Sequence, residues 1–127
     1  MRGALVLISV AAAAAVLAAC GTESVDVDDP AFEQGATLFA ERCSGCHTLK
    51  AAGTQGTANR SQRTQGPNLD QRVETYEDAI FAIRNGGFSG AIMPQNIVVG
   101  DDAEAVARFV EKYSGTDVED APRPGQP

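Results

Sequence analysis

The chain has 127 residues, enough for one small domain. Its formal charge is −7, with 17 acidic against 10 basic residues, which excludes binding to nucleic acid through net positive charge. Three cysteines and one histidine are the only thiol or imidazole groups, so any metal or redox chemistry must be built from very few ligands.

The N-terminus opens with Met1-Arg2-Gly3, then an uncharged Ala/Val/Leu run over residues 4–19. That is short for a membrane span, which needs about 20 residues. A basic start, an apolar run and small residues before Cys20 instead match an export signal over residues 1–19. Leu17-Ala18-Ala19-Cys20 resembles the lipobox of bacterial lipoproteins, which implies cleavage before Cys20 and a diacylglyceryl thioether on its sulfur. The alternatives are an uncleaved anchor, or ordinary cleavage that leaves Cys20 a free thiol. Either lipidation or an anchor puts the domain outside the cytoplasm and beside a membrane. The shortened chain has a limited core, and such a chain often needs a disulfide, metal or cofactor to supplement it.

Residues 20–29 are polar and acidic and are expected to form a tether. At about 3.3–3.6 Å per residue, nine residues reach roughly 30 Å. A first helix is predicted from Asp29-Pro30, an N-cap followed by proline at the first helical position. Phe32, Ala36, Phe39, Ala40 and Cys43 fall on one face of it. The helix runs into Cys43-Ser44-Gly45-Cys46-His47. Residues 51–66 hold no apolar side chain larger than alanine and are expected to be a long loop, closed by Gly66-Pro67-Asn68-Leu69. A second helix fits residues 76–84, with Thr75 as N-cap, Asp78 three residues on and Asn85-Gly86-Gly87 as its stop. A glycine-rich loop carrying Met93-Pro94 follows. The last helix is predicted to start at Asp101, with Glu104 completing a capping box, an apolar stripe of Val106, Phe109, Val110 and Tyr113, and Gly115 as its end. Residues 116–127 are polar and Pro-rich and are expected to be a disordered tail. No strand alternation stands out; Asn96-Ile97-Val98-Val99 comes nearest. The expected fold is all-α, with one domain over residues 30–115.

The CSGCH stretch admits three chemistries. Structural zinc wants four Cys/His ligands, and iron–sulfur clusters about four cysteines, while this region supplies Cys43, Cys46 and His47 alone. A thioredoxin-type thiol pair opens a helix within a βαβ unit; here the motif follows the end of an amphipathic helix. Covalent haem fits best. Two cysteines three apart match the two vinyl groups, the adjacent histidine can reach iron, and this attachment is made outside the cytoplasm. Past the export signal, Met93 is the only methionine and no second histidine exists. Met93 lies in a glycine-rich loop, with a backbone biased to extended by Pro94. It is the expected sixth ligand.

Taken together, the first-helix segment AxLFAERCSGCH, the GPNL after a long loop, the Ile92-Met93-Pro94 triplet and a last helix bearing aromatic residues resemble the class I c-type cytochromes, from about residue 30 to 115. The resemblance implies a small cytochrome c-like fold whose N- and C-terminal helices cross around one covalent haem c. It implies Cys43 and Cys46 as attachment points, with His47 and Met93 on the iron. The Pro67 carbonyl would accept the other N–H of His47, and Leu69 would pack on the haem. Gly35 and Phe39 would cross Phe109 and Tyr113, the glycine allowing close approach. The loop at 51–66 is longer and more polar than in compact members, with Arg60 and Arg63 near the haem propionates or simply solvated.

The expected function is therefore a lipid-anchored mono-haem electron carrier at the outer face of the cytoplasmic membrane, not an enzyme, without a small-molecule substrate. It would pass single electrons from a membrane-bound donor to an oxidase or reductase. The competing functions are a gas-binding or peroxidase-like haem protein with a labile Met93, and a structural haem subunit of a larger complex. Charge is distributed unevenly: residues 20–41 carry six acids and no base, whereas residues 42–72 carry five bases and one acid. A partner approaching the haem edge is thus expected to meet a locally basic rim.

Overall fold

The computed structural model describes residues 25–56, 66–88 and 92–118. The export signal, Cys20, Arg60, Arg63 and the tail from residue 119 lie outside the described residues, as do residues 57–65 of the loop.

Three helices carry the architecture: α1 (Glu33–Arg42), α2 (Tyr76–Asn85) and α3 (Gly100–Tyr113). Asp29 caps the first from the expected place, accepting the Ala31 amide at 2.9 Å, with Pro30 at the first position. The chain makes one tight turn over Pro30–Phe32 before settling into α1. Gly35, Ala36 and Phe39 form its buried face, continued by Cys43.

That face lies across α3. A Cβ placed on Gly35 would collide with the Ala105 carbonyl oxygen and stand 2.8 Å from the Cβ of Phe109. The glycine therefore sets the spacing of the crossing, as the resemblance implied. Rings continue the contact: Phe32 meets Tyr113 edge-on at 5.6 Å, Tyr113 lies 5.2 Å from Phe109, and Phe109 lies 5.8 Å from Phe39. Phe39 is in turn 6.3 Å from the His47 ring. Five rings thus run unbroken from the start of α1 to the CSGCH turn, in the tilted and edge arrangements that aromatic quadrupoles favour.

α2 packs on α3 through Ala79, Ile80 and Ile83. Its start matches expectation: the Thr75 hydroxyl accepts the Asp78 amide at 3.1 Å and donates to the Asp78 carboxylate at 2.7 Å. Gly86, at φ +71°, ends it. The start of α3 differs from expectation. The helix begins at Gly100, so Asp101 is already inside the first turn and cannot cap it. Asp101 and Asp102 instead favour the positive end of the helix dipole. Glu104 forms no capping box and pairs with Arg108 at 2.9 Å and with Arg84 of α2 at 4.0 Å.

Two short antiparallel pairs were not expected. β1 (Thr48–Leu49) pairs with β2 (Thr54–Gln55), and β3 (Gly87–Phe88) with β4 (Ile92–Met93). Each strand has two residues, too few to leave an alternation in sequence. Residues 96–99 are not a strand. Asn96 sits at φ +53° with its amide on the Ile83 carbonyl, and this turn drops Ile97 and Val98 into the core.

Part of the acidic segment expected as a tether packs on the domain. From residue 25 it is held against the body: Val25 and Val27 pack on the core, the Asp26 amide donates to Ala51, and the Tyr113 hydroxyl donates to Asp28. At the other end residues 116–118 continue past Gly115, with the Asp117 amide on the Asp70 carbonyl at 2.8 Å. Among the described residues no helix is long and apolar enough to cross a membrane.

Candidate haem site

The end of α1 shapes the CSGCH turn. The Cys43 amide still bonds to Phe39, while the Cys43 carbonyl accepts both Cys46, at 3.1 Å, and His47, at 2.9 Å. Two neighbouring segments press on this turn. The Gly66 amide donates to Cys46 at 2.8 Å, and the Gly56 amide to His47 at 3.1 Å. Both glycines are there for space. A Cβ on Gly56 would stand 2.7 Å from the Cys46 nitrogen, and one on Gly66 within 2.8 Å of three imidazole atoms. The first residues of the expected loop, through Gly56, therefore belong to the structured floor of the site.

Nδ1 of His47 lies 3.0 Å from the Pro67 carbonyl oxygen. A carbonyl only accepts, so Nδ1 carries the proton and Nε2 of the neutral ring keeps its lone pair for a metal. Burial holds the imidazole below its ordinary pKa, outweighing the Pro67 hydrogen bond that raises it; the nearby Arg72 charge works in the same direction as burial. The side chain is thus neutral at physiological pH. Cys43 is buried and its thiol is pushed up to about 12, by desolvation first and by Cys46 second. No disulfide joins Cys43 and Cys46.

Met93 reaches the same place from the other side. β4 pairs Met93 with Gly87, and the bend at Gly86 lies so close that a Cβ there would stand 2.5 Å from the Met93 carbonyl. Positive φ and close approach both require glycine at that position.

Cys43, Cys46, His47, Pro67, Leu69 and Met93 all line one cavity of about 310 Å³. That volume is within the range of cofactor-sized pockets, about 300–1,000 Å³. Its walls are mainly apolar, from Phe39, Ile83, Ile97, Val106 and Val110. Two thiols one turn apart, a neutral imidazole with a bare nitrogen and a thioether form a donor set that fits haem c, and the apolar walls fit its ring. The charged groups in the lining are Arg42 and Arg72 against Glu74 and Asp78, with Arg72 bonded to Glu74 at 2.9 Å. Burial holds the Glu74 carboxyl above its ordinary pKa, against the lowering effect of Arg72. Among the described residues this rim is balanced rather than basic.

Several contributors were not picked out from the sequence. Gly66 was visible only as the residue before Pro67, and Gly56 gave no signal. Arg42 and Arg72 are the described arginines at the cavity; the expected Arg60 and Arg63 lie outside the described residues. Val106 and Val110 were expected as core and also form the cavity wall.

The family model described as Cytochrome c matches residues 32–114. No curated protein matches the chain.

Proposed function

The chain belongs to the cytochrome c family, and from that premise we propose that it is a mono-haem carrier of single electrons, held at the outer face of the cytoplasmic membrane by a lipid on Cys20. The family binds haem c covalently and uses it for electron transfer, and its domains are typically exported. When bound, haem c supplies one-electron exchange between Fe(III) and Fe(II). What this chain's residues do follows from the cavity. Cys43 and Cys46 would attach the haem vinyl groups, and His47 would offer Nε2 to the iron while Pro67 fixes its ring through Nδ1. Met93 would supply a thioether, a ligand that raises the potential. Ile83, Val106 and Val110 would exclude water from the ring.

The observation that carries this reading is the convergence of both thiols, the imidazole and the only methionine past residue 1 on one cavity. An imidazole and a thioether that both line the cavity would leave a haem iron no open coordination site, which favours a carrier over a gas-binding or peroxidase-like protein. A membrane-bound donor and an oxidase or reductase would meet the carrier at the cavity mouth, where Ile92 stands 77% exposed beside Met93. A pyridine haemochrome assay of the purified protein tests the cofactor: one haem c per chain is expected. Absence of haem c, or haem that acid-acetone extracts, contradicts the reading.

A further inference from the structure

Asp70 is a buried carboxylate that the haem site itself does not use. It is 1% exposed and sits three residues after Pro67. Oδ1 accepts the Lys50 amide at 3.0 Å and the Thr116 hydroxyl at 3.2 Å. The Asp70 amide donates to Asn68 Oδ1 at 2.9 Å, and its carbonyl accepts the Asp117 amide at 2.8 Å. A carboxylate withdrawn from water in this way is costly unless donors compensate it. Here the donors come from two distant stretches, the turn after β1 and the chain after α3. Both grip the segment that presents the Pro67 carbonyl.

That segment needs outside support. Proline has no amide hydrogen, and its carbonyl is engaged with His47, so Pro67 cannot anchor itself. On one side Gly66 bonds to Cys46. On the other, Gly115 donates to Leu69 at 2.7 Å and the Ser114 hydroxyl accepts from Glu74 at 3.0 Å. Asp70 lies between these bonds and ties the segment to both Lys50 and residues 116–117. We propose that Asp70 is a positioning residue that holds the Pro67 carbonyl on His47 and thereby tunes the basicity of the haem's imidazole ligand. The inference rests on His47 being that ligand.

The sign of the effect follows from the bond. A carbonyl on Nδ1–H makes imidazole a stronger donor to iron and favours the ferric state. Letting the carbonyl recede should therefore raise the potential. In Asp70→Ala holoprotein poised at the wild-type midpoint, the ratio of reduced to oxidised haem should exceed one by about threefold. Exchange of the His47 Nδ1 proton with solvent, followed by NMR in the ferrous state, should be faster. Asp70→Asn loses the same charge but keeps an acceptor oxygen for Lys50 and Thr116, so its potential should lie clearly below that of Asp70→Ala and its proton exchange should stay near wild type. Should Asp70→Ala fail to fold, Thr116→Val is read instead, with a smaller shift of the same sign expected. An Asp70→Ala protein that loses stability while keeping wild-type potential and proton exchange would make Asp70 merely structural and overturn the proposal. So would an unshifted Thr116→Val where the alanine variant does not fold. Wild-type protein without haem c would instead fail the reading of the site, a separate result.

Discussion

The backbone at Gly66 lies against the face of the His47 imidazole, where a Cβ would stand 2.7 Å from Nε2 and 2.8 Å from Nδ1. Gly66→Ala should push the ring away from Pro67 and out of its position toward the cavity. Overpacking of this kind costs about 1–3 kcal/mol. Urea unfolding of the holoprotein should show a loss in that range together with a lower haem-to-protein ratio. An unchanged ratio and midpoint would mean that the ring is not held where it stands.

Gly35 sets up an opposition between two effects. Alanine is worth about 1 kcal/mol more than glycine inside a helix, yet its methyl group would meet the Ala105 carbonyl and Phe109. Backbone atoms of α3 cannot turn aside, so packing should win, and Gly35→Ala should destabilise by about 1–3 kcal/mol net. Chemical denaturation decides it; a stabilised variant would show that α1 and α3 can separate without loss.

The strap over residues 25–29 is fastened by Tyr113 and Asp28, and that contact titrates. The Tyr113 hydrogen bond holds the Asp28 carboxyl below its ordinary 3.8. A depressed carboxylate stabilises the fold above its unfolded value and loses that contribution as pH falls through the folded one. The stability advantage of wild type over Tyr113→Phe should accordingly be level from about pH 5 to 8 and shrink towards zero below 3.8. An advantage that persists undiminished in acid would assign the effect to packing of the strap.

Arg72 places a positive charge at the cavity and beside Glu74. Its removal should favour the ferric state, both directly and by leaving Glu74 unpaired. Arg72→Gln is expected to lower the potential, by an amount that shrinks with added salt because the side chain is half exposed. Spectroelectrochemical titration at two ionic strengths checks it, and an upward shift would contradict it.

We propose that partners meet a basic face to which Arg60 and Arg63 contribute, so that Arg60→Glu and Arg63→Glu should weaken the ionic-strength dependence of electron-transfer rates. An unchanged dependence would move the docking surface elsewhere.

Much of this was legible in the chain. Asp29-Pro30 and Thr75 with Asp78 marked helix starts because caps are local chemistry, and the Gly35–Phe109 crossing followed from the family resemblance. The β pairs around Leu49 and Met93 were not legible, since two-residue strands have no periodicity and arise from tertiary context. Asp101 was misjudged as a cap because Gly100, with its positive φ, lets the helix begin one residue sooner. Of the site, the ligand-type residues were visible by their chemistry. Pro67 was expected as a support of His47 from the resemblance, but Gly56 and Asp70 were not legible, because their contacts span the fold.

We propose that His47 and Met93 together would close both coordination positions of a bound haem iron. Carbon monoxide added to the dithionite-reduced native protein, beside Met93→Ala, tests it most directly. No change is expected in the native spectrum, with ready binding by the variant. Ready binding by the native protein would contradict it.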